Sequence, residues 1–188
     1  MLNNFSTSSI MKRFFSTLLL SLLVSATAVS QIQNKFFGAT LGESDINTTY
    51  SCMYDYFEEK PFYPLGILSV QNKVYAGYKW DAINAHFHNG KFAQLNLRYH
   101  GNMNAGSQNI IHIYNRLKND LTTKYGESPT IIPDEYGNVG LYYYDGRYAV
   151  ELIMNWHINE KNEKEYYEVG LWYSDVKLIN EPKINNDL

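Results

Sequence analysis

The sequence has little cysteine and little charge: one of its 188 residues is cysteine, and 19% are charged. A single cysteine excludes an internal disulfide framework and a zinc cluster built from thiolates. The low charge, together with 45% hydrophobic residues, excludes an intrinsically disordered chain. The length leaves room for one domain or for two small ones.

Basic residues are also few, and the net charge is −3. An acidic chain is a poor partner for nucleic acids and for anionic membrane surfaces. The sequence contains no phosphate-binding glycine loop, no serine-centred nucleophile elbow and no His-Glu metal helix. No cofactor and no metal are therefore expected.

The first thirty residues have the pattern of a secretory signal peptide. Lys12 and Arg13 form a basic patch, residues 14–24 are mostly apolar, and residues 25–30 carry small side chains at alternate positions. The apolar run is shorter than the roughly 18 residues that a membrane-spanning helix needs. We expect cleavage after Ala28 or Ser30.

The predicted mature chain, residues 31–188, is exported to the periplasm or outside the cell. Cys52 lies far beyond the cleavage region, so it is not a lipid-anchor cysteine, and no second long apolar segment follows. Loss of Lys12 and Arg13 lowers the net charge to about −5. Either Met1 or Met11 fits the position of the translation start.

Two helices are predicted by apolar residues at spacings of three and four. The first has Ser44 as its N-cap and Asp45 in its first turn, and it ends before Pro61. The second has Ser107 as its N-cap and Gly126 as its C′ residue. The apolar stripes are Ile46, Tyr50, Met53, Tyr54 and Phe57, and then Ile110, Ile111, Tyr114, Leu117, Leu121 and Tyr125.

A first hairpin turns near Gly90, where two registers compete. A loop of even length mixes the two faces, whereas a three-residue loop with Gly90 in the left-handed conformation collects the aliphatic side chains on one face. We therefore predict the second register, which pairs Phe87 with Ala93, Ala85 with Leu95, and Ile83 with Leu97. It leaves Trp80 and Phe92 on the opposite face.

A second hairpin is predicted with a two-residue turn at Asp145 and Gly146. This register pairs Tyr143 with Tyr148, Leu141 with Val150, and Val139 with Leu152. A third strand, at about residues 166–174, adds Tyr167, Val169, Leu171 and Tyr173 to the same core.

The order of elements is helix, strands, helix, strands, and the strands are antiparallel. This order predicts an α+β fold in which an antiparallel sheet of hairpins carries two main helices on one face. Residues 31–188 form a single domain in this interpretation. Two divergent helix-plus-strands halves, residues 35–100 and 105–178, are a further option.

A set of motifs resembles small exported bacterial proteins of unknown function. The motifs are Phe-x-Gly-x-x-Leu-Gly-Glu-Ser ending at Ser44 before a helix, an Asn-Gly-Lys hairpin, a long helix that ends in Lys-Tyr-Gly-Glu-Ser at Ser128, and a tyrosine-rich meander. The fold of these proteins is similar to that of the β-lactamase-inhibitor protein and of the small outer-membrane-assembly lipoproteins. The resemblance implies a non-catalytic domain that binds proteins. It carries no functional residues over to this chain.

Several chemistry-bearing residues have ordinary structural interpretations. His86 and His88 share a strand face, but a zinc site needs a third ligand, so we expect surface histidines. Cys52 is expected to be a buried or half-buried free thiol on a helix. Of the carboxylates, we attribute Asp145 to its turn, and Glu151 and Glu168 to a solvated strand face. Further carboxylates are Asp134, Glu135 and Glu165.

Aromatic residues are the compositional anomaly, with 17 tyrosines, 9 phenylalanines and 3 tryptophans. Tyr142, Tyr144, Tyr166 and Trp172 are predicted on the sheet face opposite the core. Exposed aromatic groups indicate a binding surface. We predict a non-catalytic domain that binds a protein partner through this face. Alternatives are a carbohydrate-binding module that uses the same aromatics, and an envelope hydrolase.

Overall fold

The structure is a computed structural model and describes residues 31–102, 107–127, 130–133, 139–158 and 164–183. The predicted signal peptide lies outside these residues. The elements in chain order are β1 (Lys35–Phe36), β2 (Ala39–Thr40), α1 (Ile46–Phe57), a 3₁₀ turn (Pro64–Gly66), β3 (Ile67–Tyr75), β4 (Tyr78–His88), β5 (Lys91–Asn102), α2 (Ser107–Tyr125), β6 (Thr130–Pro133), β7 (Val139–Tyr144), β8 (Tyr148–Ile158), β9 (Lys164–Asp175) and α3 (Val176–Ile179).

Seven strands form one sheet in the order β3-β4-β5-β9-β8-β7-β6. Every neighbouring pair in this order is antiparallel. The protein is therefore an α+β protein with an antiparallel sheet, as its sequence predicts. Within the described ranges, none of the helices has both the length and the apolar character that a membrane crossing requires.

The core lies on one side of this sheet, which we call the inner face. It takes alternate strand residues such as Ile83, Leu95, Leu97, Val150 and Leu171. The same buried cluster contains Met53 and Phe57 of α1 together with Ile110, Tyr114, Leu117 and Leu121 of α2. The opposite side of the sheet, which we call the outer face, carries the residues that alternate with these.

The N-terminus of α1 differs from the prediction by one residue. Asp45, not Ser44, is the N-cap, and its Oδ1 accepts the N–H of Thr48 at 2.8 Å. The Ser44 hydroxyl instead accepts the N–H of Thr40 at 2.9 Å, so it fixes the turn before the helix. Tyr54, predicted on the apolar stripe, is 44% exposed. At the end of α2, Gly126 has a φ of +87° and is the predicted C′ residue.

The first hairpin keeps the predicted pairs Ala85–Leu95 and Ile83–Leu97 but not the predicted loop. Asn89 and Gly90 both have positive φ and form a two-residue turn, and a bulge follows beside His86 and Phe87. Phe87 consequently pairs with Phe92 rather than with Ala93. The prediction that Phe92 lies on the outer face is therefore wrong: it is fully buried in the core.

Trp80 is likewise a core residue, 1% exposed, and not the outer-face residue that strict alternation predicts. The β3–β4 ladder passes from Gln71–Ala82 to Lys73–Trp80 around Asn72, whose φ is +55°. Trp80 lies next to this irregular position, on the neighbouring strand, and its indole packs in the core. Its Nε1 donates to the carbonyl of Tyr75 at 3.1 Å.

The second hairpin has a register shifted by two residues from the prediction. Leu141 pairs with Leu152, and Tyr143 with Val150, because the turn is centred on Gly146 and Arg147. Oδ1 of Asp145 accepts the N–H groups of Arg147 and Tyr148, which fixes this turn. A shift of two residues preserves the faces, so the inward and outward assignments remain as predicted.

Candidate functional site

A row of polar and aromatic residues crosses the outer face from strand to strand. Directly paired residues stand on the same face of an antiparallel sheet. The row is Tyr142, Glu151, Trp172, Asn96, Asn84 and Ser69, from β7 across β8, β9, β5 and β4 to β3. Six strands at a spacing of about 4.8 Å make this row about 24 Å long.

Trp172 lies at the centre of the row and is half-buried. Its ring centroid is 5.8 Å from that of His86. Its Nε1 lies over Gly170, where a β-carbon would come within 3.0 Å of that nitrogen. A side chain at position 170 would therefore displace the indole from its place on the sheet.

Beside Trp172, three charged or titratable residues form an ion-paired cluster. Arg98 Nη2 contacts Glu168 Oε2, and His100 Nε2 is 3.0 Å from the same oxygen. The backbone N–H of His100 donates to Asp81 Oδ2 at 2.6 Å. Glu168 is 5% exposed, so our prediction of a solvated carboxylate at this position is wrong. The cluster compensates the burial of its negative charge.

Three buried side-chain atoms around Trp172 have no hydrogen-bond partner within the described protein: Nδ2 of Asn96, Nε of Arg98 and Nε2 of His86. Asn96 is 1% exposed, and its Oδ1 accepts from Asn84 Nδ2 at 3.3 Å. A buried polar group without a partner costs about 1–3 kcal/mol. Each of these three atoms is buried, and all three lie on the outer face near one indole.

Burial changes the pKa values of the titratable residues in this region. It lowers the pKa of His86, and the nearby Arg98 lowers it further, so the imidazole is neutral near neutral pH. Burial also raises the pKa of Glu151 in the middle of the row. Both pKa changes favour the uncharged form of the side chain.

Of the four predicted ligand-binding residues, three come together on the outer face. The rings of Tyr142 and Tyr144 stack with a centroid distance of 6.5 Å, and Tyr142 is separated from Trp172 only by Glu151 in the row. Tyr144 is 47% exposed. The backbone of Tyr166 lies in β9 opposite Asn102 and His157, but its side chain lies outside the described part.

His88 and Cys52 are chemistry-bearing residues that the structure also describes. Among the described residues, no group of three His, Cys, Asp or Glu side chains is placed to hold a metal ion. His88 interacts with the carbonyl of Glu181 at 2.8 Å, away from His86. Cys52 is a half-buried free thiol. The side chains of Asp134, Glu135 and Glu165 lie outside the described residues.

A second exposed region, which the sequence predictions do not include, is the 62–65 loop between α1 and β3. Phe62, Tyr63 and Leu65 are 44%, 53% and 99% exposed. Leu65 also has a left-handed φ of +53°, which is unfavourable for a residue with a side chain. Phe62 anchors the loop through two backbone hydrogen bonds to Ser69. The run of apolar residues around Pro61 and Pro64 was the signal in the sequence.

Comparisons with known proteins found no match: no protein family, no curated protein and no solved structure resembles this chain closely enough to be counted.

Proposed function

We propose that this protein is an exported, non-catalytic domain that binds a protein partner through the outer face of its sheet. In this proposal residues 1–30 are the signal peptide. In this proposal both main helices cover the inner face, and the partner binds at the outer face, where Tyr144 is 47% exposed. The resemblance to exported domains of the β-lactamase-inhibitor type agrees with such a role.

The observation that carries the proposal is the position of Trp172 among unpartnered polar atoms of Asn96, Arg98 and His86. Two of these atoms are N–H donors, so the complementary ligand presents acceptor oxygens such as peptide carbonyls. Tryptophan, tyrosine and arginine are also the residue types that dominate binding energy at protein interfaces. The outer face combines all three types.

The extent of the row favours a protein over a small ligand. A row about 24 Å long matches the width of a standard interface, which buries about 800 Å² on each partner. Tyr144 extends the surface beside Tyr142 toward the β7–β8 turn. The centre of the row therefore supplies polar contacts, and its β7 end supplies the stacked rings of Tyr142 and Tyr144.

Glycan binding is the second candidate, because a half-buried indole with hydrogen-bond donors beside it also fits a sugar ring. Trp172 and Tyr142 would then stack on sugar rings, and Asn96 and Arg98 would donate to hydroxyl oxygens. A glycan occupies only part of a row of this length, so the protein partner is preferred.

The test is capture of a binding partner from an envelope extract of the source cells with the immobilised protein. Soluble polysaccharide is added to half of the washes. We expect a stoichiometric protein that survives the polysaccharide wash and is lost when Trp172→Ala and Tyr142→Ala are combined. Circular dichroism establishes that the double variant is folded.

The matched control is Leu65→Ala, which removes an exposed apolar side chain from the 62–65 loop instead. Capture by this variant equal to that of the natural protein supports the outer face. Loss of capture in Leu65→Ala alone would move the interface to the loop. Release by one polysaccharide, with no protein retained, would instead establish glycan binding.

A further inference from the structure

A cavity of about 140 Å³ lies between α2 and the inner face of the sheet. Its walls are mostly aromatic and aliphatic: Phe36, Trp80, Leu97, Leu117, Leu121 and Tyr173 are among them. The cavity is on the opposite side of the sheet from Trp172. An inference about it therefore does not depend on the proposed function.

The size of the cavity limits what it can hold. Protein interiors are close-packed, with few voids larger than a water molecule. An apolar cavity of about 150 Å³ stays dry and accepts a molecule of the size of benzene, whereas drug-sized ligands need about 300–1,000 Å³. One six-membered ring fits a cavity of this size.

The lining selects an aromatic and uncharged occupant. Tyr75 and Tyr78 line the cavity together with Trp80 and Tyr173, so a ring inside meets other rings edge-on or offset. Burial raises the pKa of Tyr75 to about 12, so its hydroxyl stays protonated at neutral pH. A small polar substituent on the ring can form a hydrogen bond with such a hydroxyl, whereas a charge would be desolvated at high cost.

Two exposed hydrogen bonds join polar residues that line the cavity. Nζ of Lys124 donates to Oε1 of Gln33 at 2.9 Å, and the hydroxyl of Tyr78 donates to Oδ2 of Asp120 at 2.5 Å. Exposed polar contacts of this kind contribute little to stability because water replaces them. They can open to admit a ligand without disturbing the core.

From this geometry we infer that the cavity binds an uncharged single-ring aromatic molecule of the size of phenol. The ring lies against Trp80, Leu117 and Leu121, and its substituent points toward the Gln33–Lys124 side. Phenol is the probe for the test, and benzoate, a single ring that carries a negative charge at neutral pH, is the control.

The experiment is an NMR titration of the purified full chain, with labelled leucine methyl groups, against phenol. We expect saturable shifts of the Leu117, Leu121 and Leu171 methyl signals, contacts between phenol and Leu121 in the nuclear Overhauser spectrum, and no saturable shift with benzoate. Absence of saturable shifts with phenol, or contacts with phenol elsewhere only, would overturn the inference.

Two phenylalanine variants on the same helix sharpen the test. Leu121→Phe fills the cavity, and we expect phenol affinity to fall by at least about tenfold, or 1.4 kcal/mol. Ile111→Phe adds the same ring on the exposed side of α2, where Ile111 is 43% exposed, and should leave phenol affinity unchanged. Undiminished affinity in a folded Leu121→Phe would contradict the assignment. If Leu121→Phe does not fold, the contacts with phenol in the natural protein decide.

Discussion

Two arginine–carboxylate pairs of this protein differ in how completely their hydrogen bonds are satisfied. At the β8–β9 end of the sheet, Oδ2 of Asp175 accepts from Nε and Nη2 of Arg147 at 3.0 and 2.8 Å. Oδ1 of Asp175 accepts the N–H of Leu178 at 3.1 Å and caps α3. In the centre of the outer face, Arg98 reaches Glu168 through Nη2, while its buried Nε has no partner within the described protein.

In our proposal the difference separates a structural corner from a binding surface. Both carboxylates are buried, but both oxygens of Asp175 accept hydrogen bonds, and the pair closes a turn and a helix. Around Glu168, Nε of Arg98 and Nδ2 of Asn96 are buried beside Trp172 without a hydrogen-bond partner among the described residues. We therefore expect loss of the first pair to affect folding, and changes around the second to affect binding.

The largest expected effect is on stability, from Asp175→Ala. This substitution removes two charge-assisted hydrogen bonds and the N-cap of α3, so the free energy of unfolding should fall by about 2–4 kcal/mol. Urea unfolding followed by circular dichroism measures it. Partner capture by the folded variant should be retained. A loss of less than about 1 kcal/mol would contradict the structural role of this corner.

The next effect is on binding, from Trp172→Ala alone. Removal of a central indole should weaken the captured partner's binding by about 2 kcal/mol or more, which is about thirtyfold in Kd. Isothermal titration calorimetry with the identified partner measures this. Tyr63→Ala, which removes an aromatic ring from the 62–65 loop, is the control and should leave the Kd unchanged. Equal losses in both variants would remove the distinction between the two surfaces.

Asn96→Leu separates binding from stability most clearly. Because the natural amide is buried with Nδ2 unpartnered, and Leu gives up only the 3.3 Å hydrogen bond from Asn84 to Oδ1, an apolar side chain of similar size should lower the unfolding free energy by no more than about 1–2 kcal/mol. Partner binding should weaken by about tenfold, since a donor is lost. Asn84→Ala removes the Asn84–Asn96 hydrogen bond but keeps Nδ2 of Asn96 as a donor, so the Kd for the partner should be unchanged. A strongly destabilised Asn96→Leu would show that this amide serves the fold.

The smallest effect is the pH dependence contributed by His86. Its pKa in the folded protein is lowered, so between that value and about 6.5 the unfolded chain binds more protons. Stability is therefore lost as the pH falls through about 6.5, with a slope below about 1.4 kcal/mol per pH unit for one group. Urea unfolding at several pH values should show a flatter dependence for His86→Gln. Identical slopes would show that His86 is not desolvated.

The sequence predicted the α+β class, the main helices and the separation of the two faces of the second hairpin. These follow from the spacing of apolar residues, which local geometry fixes. It failed at two aromatic residues: Trp80 lies inward beside the irregular position at Asn72, and the bulge after the Asn89–Gly90 turn turns Phe92 inward. Left-handed residues and bulges depend on tertiary packing and leave little trace in a hydrophobic pattern.

The candidate site was predicted only in its aromatic part. Tyr142, Tyr144 and Trp172 follow from strand alternation. The polar part, Asn96 and the Arg98–Glu168 pair, depends on which strands become neighbours, and the contact between β5 and β9 joins residues about seventy positions apart. No local pattern encodes that contact. For the same reason the sequence pattern wrongly predicts a solvated side chain for Glu168.

The most direct test of the outer face is photo-crosslinking in the source cells at two tyrosines of similar exposure. The photoreactive amino acid p-benzoylphenylalanine is placed at Tyr144 on the outer face or at Tyr63 in the 62–65 loop, which are 47% and 53% exposed. We predict a covalent adduct with one partner protein from position 144 and none from position 63. An adduct from position 63, with none from position 144, would contradict this prediction.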